Sequence, residues 1–337
     1  MVNVAIIGAS GYSGAELLRV LSAHPAARVR KVTAASSAGQ RVDALYPAFA
    51  GQYDLAYDEL VPPGLDGIDV AFVALPSGEA MKVVPALRGK VDRIIDLGGD
   101  FRLKAKELYE TFYKRPHTQP DILASSVYGL PELNREAIAG ASLVANPGCY
   151  ATSAILGLLP ALKHGVIEPS GIVINALSGV SGAGRSASVD MSFAEINENV
   201  RAYRVGSHQH IPEIESVLAG ASGAPVSVSF VPHLAPITRG IYATTHATLC
   251  VGVSAQELLT MYREFYAPHP FVRVTQSVPQ ILAVTRSNYC DIGLAVESRT
   301  NQVIIMSAID NLVKGAAGQA VQNMNLMFGL PETTGLK

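Results

Sequence analysis

The chain begins with the run Val2-Asn3-Val4-Ala5-Ile6-Ile7-Gly8-Ala9-Ser10-Gly11-Tyr12-Ser13-Gly14. Val2–Ile7 predicts a buried strand, Gly14–Ala23 predicts a helix, and a G-x-x-G-x-x-G loop joins the two. Glycines in such a turn let backbone N–H groups approach a pyrophosphate at the start of the helix; a plain glycine turn is the alternative. We predict a dinucleotide site at this loop. Its contacts are assigned to Gly8, Ser10, Gly11, Tyr12, Ser13 and Gly14.

The residues that follow repeat the alternation of strand and helix. Strands are predicted over Arg28–Ala35, Asp69–Ala74 and Arg93–Leu97, and a helix over Glu79–Leu87. This rhythm is typical of βαβ units and of a doubly wound parallel sheet.

A second region carries longer alternating runs. The predicted strands are Gly171–Ala176, Pro225–Val231, Ile241–Val253, Ile281–Thr285, Ile292–Glu297 and Gln302–Ala308. They indicate an α+β domain with a large mixed sheet, and a helical pattern returns at Asp310–Val321. The predicted fold class is therefore α/β. A Rossmann-type dinucleotide-binding domain covers 1–147 and is completed by a C-terminal helix in 310–337, and an α+β domain covers 148–309.

Composition excludes several classes of protein. With 337 residues, 49% hydrophobic and 16% charged, the chain can bury substantial cores and is not a disordered protein. A net charge of −2 gives no overall field that attracts nucleic acid. Three cysteines without a C-x-x-C pair argue against a disulfide framework or a zinc site, so no metal is expected. The start lacks a basic leader, and no apolar run reaches 18 residues; we expect a cytoplasmic protein without a membrane segment.

The end of the second predicted strand bears on the choice of dinucleotide. An NAD site usually carries an acidic residue there for the ribose 2′-hydroxyl. This chain has Ser36 and Ser37, followed by Arg41, and hydroxyls with a cation suit a 2′-phosphate. NADP(H) is therefore the expected cofactor. Pro76 and Ser77, in the loop after the strand Asp69–Ala74, are also assigned to cofactor binding.

Cys149 follows a Pro-Gly turn and precedes a helical pattern. A sulfur at a helix N-terminus is favoured as thiolate, because backbone N–H groups and the helix dipole stabilise negative charge there. Most cysteines are instead small buried hydrophobes. Cys250, in the alternating run Ile241–Val253, is expected to be one of those, and Cys290 also lacks the turn-to-helix context. Cys149 is the predicted nucleophile.

Two further segments fit a ligand cleft. Arg102 follows Gly98-Gly99-Asp100-Phe101 at the carboxyl end of a predicted strand, where open α/β sheets bind ligands. Its guanidinium fits a phosphate, and pairing with a surface carboxylate is the alternative. The small-residue loop 178–185 either lets backbone approach a ligand or is a flexible turn.

Two histidines precede a predicted helix that has Pro212 in its first turn. His210 at that helix N-terminus is favoured as neutral imidazole, because the positive end of the dipole opposes a second proton. We predict His210 as the acid/base group and keep His208 as the second choice. A metal pair or two surface histidines are the alternatives.

Taken together, these residues resemble the N-acetyl-γ-glutamyl-phosphate reductase family of the semialdehyde dehydrogenase group. The resemblance covers essentially the whole chain. It rests on Gly8–Gly14, Asp96–Arg102, Tyr128–Leu133, Asn146–Tyr150, Ser178–Arg185, His208–Ile214 and Pro232–Leu234. Family members often carry Ser-Ala where this chain has Gly98-Gly99, which removes a hydroxyl but keeps Arg102.

The resemblance implies an NADPH-dependent reduction of an acyl phosphate in arginine biosynthesis, through a Cys149 thioester. It implies that Arg102 holds the phosphate, that Asn323 lies near the nicotinamide, and that the second domain forms dimers or tetramers. Substrate contacts are assigned to Arg102, Asn146, Ser178, Gly179 and His208. Cofactor contacts further include Gly182 and Asn323.

Two alternatives remain open from the sequence. A related reductase acts on a glutamyl or aminoadipyl phosphate linked to an acidic carrier protein, which would need a basic docking surface. A non-catalytic NADP(H)-sensing module would keep the glycine loop and lose the chemistry. The joint presence of Cys149, His210 and Arg102 argues against the module.

Overall fold

The computed structural model describes residues 1–60 and 64–337. The chain folds as two units. The first comprises 1–148 together with 316–337, and the second comprises 149–315. The predicted α/β class is confirmed.

The first unit is a parallel sheet covered by helices. Its strands are β1 (Val2–Ile7), β2 (Ala27–Thr33), β3 (Val70–Val73), β4 (Arg93–Asp96), β5 (Val127–Tyr128) and β6 (Leu143–Ala145), in the order β2-β1-β3-β4-β6-β5. Its helices are α1 (Tyr12–Ser22), α2 (Val42–Leu45), α3 (Ala80–Leu87), α4 (Lys106–Tyr113), α5 (Pro120–Ser125), α6 (Pro131–Gly140) and, from the end of the chain, α12 (Gly318–Met327). The pairing is parallel throughout these six strands.

Alternate residues of β1 serve different faces of this sheet. Val4 and Ile6 belong to a core that includes residues of α1 and α12, whereas Ala5 and Ile7 belong to a core that includes residues of α3. A strand buried on both faces reads as a continuous apolar run, which explains why Val2–Ile7 was recognisable.

The second unit is built on a seven-stranded mixed sheet. Its strands are β7 (Ile172–Gly179), β8 (Arg201–Ala202), β9 (Val228–Ala235), β10 (Ile241–Thr248), β11 (Val272–Thr275), β12 (Cys290–Glu297) and β13 (Gln302–Ile309), in the order β11-β12-β13-β10-β7-β9-β8. Its helices are α7 (Cys149–Lys163), α8 (Phe193–Ile196), α9 (His210–Ser222), α10 (Ala255–Tyr266) and α11 (Ile281–Val284). A π-helical turn over Val313–Ala317 follows β13.

One face of this sheet lies under helix α7. The hydroxyls of Ser153 and Ser307 are 2.7 Å apart, and the position of Gly157 lies close to Ile305. Tyr150–Leu162 are all buried, so α7 is a core helix along its length. The opposite face remains accessible, with Val173 and Leu177 exposed.

Two predicted strands and one predicted burial differ from the structure. Ile281–Thr285 was predicted as a strand and is helix α11, in which the Thr285 hydroxyl donates to the Ile281 carbonyl. The strand predicted over Ile241–Val253 ends at Thr248, because its partner β13 begins opposite, at Gln302. Cys250 therefore lies outside the sheet and is exposed, so its predicted burial is wrong.

Candidate active site

The glycine loop forms a close strand-to-helix turn, as predicted. Gly8 has a φ of +87°, and a Cβ there would lie 2.5 Å from the Ala74 carbonyl oxygen. A Cβ on Gly14 would lie 2.5 Å from Cα of Ala9, so the helix packs directly on the loop. Helix α1 begins at Tyr12 and has no acidic residue in its first turn. The packing of the turn itself thus requires both glycines, and the first N–H groups of α1, with no carboxylate beside them, suit a pyrophosphate group.

Arg41, in the region after β2, was expected to offer its charge to a 2′-phosphate, but in the structure it is already paired with carboxylates. Ser36 is exposed and Ser37 half-buried. Arg41 is bonded to two carboxylates, with 2.7 Å from Nη1 to Asp54 and 2.9 Å from Nη2 to Asp43. Sequence reasoning missed both partners. In this conformation the charge of Arg41 is neutralised, and a 2′-phosphate would compete with two carboxylates for it.

The loop carrying Pro76 and Ser77 is held by a residue that sequence reasoning gave no role. The buried carboxylate of Asp100 accepts from the backbone N–H of Gly78 at 2.6 Å and of Met81 at 3.3 Å. The Tyr109 hydroxyl donates to the same carboxylate at 2.8 Å. Asp100 thus fixes the turn between β3 and α3.

Arg102 lies at the carboxyl ends of β4 and β6. Its Nε donates to the Asn146 carbonyl at 2.8 Å, and its Nη2 donates to the Leu97 carbonyl at 2.8 Å. These bonds orient the guanidinium and join two neighbouring strand ends. Because the side chain is half-buried and bonded to two carbonyls, the surrounding protein sets its orientation.

Asn146 and Asn323 come together in the first unit. The Nδ2 of Asn323 donates to Oδ1 of Asn146 at 3.1 Å and to the Gly129 carbonyl at 2.9 Å. Gln319, one turn earlier on α12, donates to the same carbonyl at 2.8 Å. All three side chains are fully buried. Helix α12 therefore completes the carboxyl edge of the parallel sheet with amide groups.

Asp96, at the end of β4, is fully buried beside this edge. Its Oδ1 accepts from the Gly98 N–H at 2.9 Å, and its Oδ2 has no hydrogen-bond partner among the described residues. Burial, reinforced by the nearby Asp100 carboxylate, raises the pKa of Asp96 to about 7. The carboxyl group is therefore in part protonated at neutral pH.

Cys149 is the first residue of α7, as predicted, and is half-buried. The next residue, Tyr150, belongs to an aromatic cluster. Its ring lies 5.7 Å from that of His208 and 6.0 Å from that of His210, measured between centroids. The second unit thus places both predicted histidines beside the residue that follows the cysteine.

The two histidines are not equivalent. His210 is the first residue of α9, and its backbone N–H donates to Nδ1 of His208 at 3.1 Å. Burial, together with the adjacent His210, lowers the pKa of His208 to about 2. A ring that is neutral throughout the physiological range, and whose Nδ1 accepts a backbone bond, is suited to fixing the start of α9 rather than to proton transfer.

A row of hydroxyl groups extends from the same cluster. The Tyr203 hydroxyl donates to the Tyr150 hydroxyl at 3.2 Å, and the latter donates to the His233 carbonyl at 3.2 Å. Burial raises the pKa of Tyr203 to about 12 and that of Tyr150 further, so both stay protonated. Tyr150 also bonds to Ser178. Sequence reasoning missed the tyrosines, because Tyr203 reaches Tyr150 across 53 residues of chain.

The small-residue loop after β7 is ordered by a neighbouring turn. Ser178 and Gly179 are buried, and a Cβ on Gly179 would lie 2.7 Å from the backbone of Thr238 and Arg239. Gly182 is exposed, in a short 3₁₀ turn. Of Ser178, Gly179 and Gly182, the three positions here that were assigned to ligands, Gly182 is the exposed one.

Residues 1–60 and 64–337 contain neither a metal-ion cluster nor a membrane-spanning helix. This part of the chain holds no group of three or more His, Cys, Asp or Glu side chains placed to bind a metal ion. Its helices include none that is both long and apolar enough to span a membrane.

Comparison with known proteins identifies the two units. Residues 3–141 match the family model described as semialdehyde dehydrogenase, NAD binding domain, and residues 149–311 match the one described as semialdehyde dehydrogenase, dimerisation domain. The aspartate semialdehyde dehydrogenase II of Vibrio cholerae, solved in complex with ASA, has a similar fold with a TM-score of 0.74 over 98% of both chains, at 19% identity. The enzyme of Candida albicans solved with NADP also gives 0.74, at 17% identity over 97% of this chain and 98% of that one.

Curated relatives are much closer in sequence. The N-acetyl-gamma-glutamyl-phosphate reductase of Symbiobacterium thermophilum is 52% identical over 99% of this chain and 97% of its own length. The enzyme of the same name from Geobacter sp. strain M21 is 50% identical over 100% of this chain and 98% of its own.

Fold and family matches define the class: the protein is an oxidoreductase of the semialdehyde dehydrogenase type. Within that class, the chain belongs to the N-acetyl-γ-glutamyl-phosphate reductase family. The resemblance seen in the motifs is confirmed.

The raised pKa of Asp96 predicts a pH dependence of stability. The folded state holds this proton more tightly than the unfolded chain, whose aspartate has a pKa near 3.8. The Asp96 contribution to the free energy of unfolding is therefore fully present below about pH 4 and is lost as the pH rises to about 7. Asp96→Asn keeps an oxygen for the Gly98 N–H and removes the titrating group. We expect the thermal midpoint of the variant to gain on that of the unmodified protein between pH 5 and pH 8; a constant difference across this range would contradict the assignment.

Proposed function

We propose that this protein reduces N-acetyl-γ-glutamyl phosphate to N-acetylglutamate 5-semialdehyde and phosphate with NADPH, in arginine biosynthesis. The observation that carries the proposal is Cys149 at the N-terminus of the buried helix α7, with His208 and His210 around the neighbouring Tyr150. The names of the relatives at about 50% identity support the choice of substrate.

The first unit has the features that a dinucleotide requires. We assign the pyrophosphate to Gly8–Gly14 at the start of α1, and further contacts to Pro76, Ser77, Gly182 and Asn323. Ser36, Ser37 and Arg41 are the groups offered to a 2′-phosphate, which requires Arg41 to exchange Asp43 or Asp54 for the ligand. A bound reduced nicotinamide supplies the hydride that converts an acyl group to an aldehyde.

Cys149 acts as the nucleophile. Its thiolate attacks the carbonyl carbon of the acyl phosphate, the carbon–oxygen bond to phosphate breaks, and the acyl group becomes a thioester on Sγ. Backbone N–H groups at the start of α7 favour the thiolate and stabilise the negative charge that develops on the carbonyl oxygen at the same end of the helix. We assign contacts with the substrate to Asn146, Ser178 and Gly179.

His210 serves the proton transfers. The carbonyl oxygen gains a proton when the thioester is reduced and loses it when the carbon–sulfur bond breaks to release the aldehyde and the thiolate. His210 begins a helix, where the dipole favours a neutral ring that accepts and returns a proton. His208 holds the backbone of His210 through its Nδ1.

Arg102 is the proposed phosphate ligand. Two of its donors are spent on the Asn146 and Leu97 carbonyls, which fixes the plane of the guanidinium. A guanidinium oriented in this way meets a phosphate in one geometry and stabilises the leaving group as charge moves onto it.

The two parts of the chain then have separate tasks. We propose that 1–147 with 310–337 binds NADP(H), and that 148–309 carries the nucleophile and forms the oligomer. The accessible face of the second sheet supports self-association, since Val173, Leu177, Tyr242 and Met306 lie on one side of paired strands. We propose that two chains pair through this face, that two of these dimers form a homotetramer, and that the protein is cytoplasmic.

Cys149→Ser is expected to abolish turnover. With N-acetylglutamate 5-semialdehyde, phosphate and NADP⁺, the unmodified protein should form NADPH, and the variant should lose on the order of a thousandfold or more in kcat. Cys250→Ser, at an exposed position, is the matched control and should remain active. Normal turnover by Cys149→Ser would overturn the covalent mechanism. Activity confined to a carrier-protein-linked substrate would overturn the choice of a free one.

The two histidines are expected to respond differently to the same substitution. His210→Asn removes the acid/base group and should lower kcat about a hundredfold. His208→Asn keeps an acceptor for the His210 N–H and should lower kcat less than about tenfold. Steady-state assays of both variants decide the assignment, and a larger loss in His208→Asn would reverse the two roles.

A further inference from the structure

The turn that follows β13 is held by one buried side chain. The Oδ1 of Asp310 accepts from the backbone N–H groups of Leu312 at 2.8 Å and Val313 at 3.2 Å. Its Oδ2 accepts from the backbone N–H of Arg286 at 2.7 Å. With no exposed surface on Asp310, these bonds fix where the π-helical turn Val313–Ala317 begins.

The π-helical turn brings Gly315 against the nucleophile. The N–H of Gly315 donates to the Asp310 carbonyl at 3.0 Å, five residues back, and this bond ties the π-helical turn to the end of β13. A Cβ built on Gly315 would lie 2.8 Å from Cβ of Cys149 and 3.2 Å from its Cα. Neither atom belongs to a flexible side-chain end, so neither can move aside alone.

Helix α7 cannot withdraw from this contact at low cost. Its residues Tyr150–Leu162 are all buried, and the carbonyl of Gly157 accepts from the Tyr262 hydroxyl at 2.7 Å. Ser153 is bonded to Ser307 on β13, the strand that leads into Asp310. The helix start and the turn are therefore fixed against each other from both sides.

We propose that Gly315 is a positioning residue for Cys149. Because it has no side chain, the turn packs directly on Cα and Cβ of Cys149 and fixes the direction of the bond that carries Sγ. Reaction at an acyl carbon depends steeply on the placement of the nucleophile, so this contact contributes to rate without touching substrate. The proposal rests on the proposed role of Cys149 as nucleophile.

A double-mutant cycle tests the contact independently of activity. Gly315→Ala should lower the thermal midpoint by several degrees, whereas the matched control Gly220→Ala, in α9 with open space around its Cβ, should leave it unchanged or raise it. In a Cys149→Gly background, which lacks the clashing Cβ, the loss caused by Gly315→Ala should shrink by at least half. If Gly315→Ala alone does not fold, recovery of folding in the double variant has the same meaning. An equal loss in both backgrounds, or no recovery, overturns the proposal.

The reactivity of the thiol tests the consequence for positioning. In Gly315→Ala we expect kcat to fall about tenfold or more with little change in KM for NADP⁺, and the pH profile of Cys149 alkylation by iodoacetamide to shift. Both readouts unchanged from the unmodified protein would overturn the positioning role. Failure of the proposed function is a distinct outcome: Cys149→Ser would then stay active while the stability cycle still showed coupling.

Discussion

The start of helix α7 is the constraint on which the second unit depends. Cys149 is its first residue, and the thirteen residues that follow are buried. A helix enclosed in this way cannot slide, so its N-terminal N–H groups and the sulfur keep one position. The histidines of the α9 start, the Tyr150–Tyr203 hydroxyls and the turn at Gly315 are then arranged around a fixed point.

In the first unit, a few polar side chains fix the carboxyl edge of the parallel sheet. Asp100 holds the loop after β3, Arg102 ties the ends of β4 and β6, and Asn323 returns from the end of the chain to bond Asn146. Each is a buried or half-buried polar side chain that forms at least one hydrogen bond with the backbone. Such bonds orient side chains more closely than packing alone, which suits an edge where open α/β sheets bind ligands.

What the sequence predicted was local. The glycine loop, the start of α7 at Cys149 and the start of α9 at His210 each follow from a few adjacent residues, and the structure places all three at the predicted turns. What it did not predict depends on distant partners. Asp54 reaches Arg41 across 13 residues, and Ile281–Val284 is helical although its apolar composition suits a strand. The different tasks of His208 and His210 follow from burial and from one backbone bond, and neither is visible in the motif.

The central claim is that Cys149 becomes covalently acylated. The direct measurement is mass spectrometry of the protein after acid quench, following incubation with N-acetyl-γ-glutamyl phosphate in the absence of NADPH. We expect one N-acetylglutamyl group per chain, located on the Cys149 peptide and removed when NADPH is added before the quench. A chain that turns over substrate but carries no acyl group, or carries it on a residue other than Cys149, would contradict it.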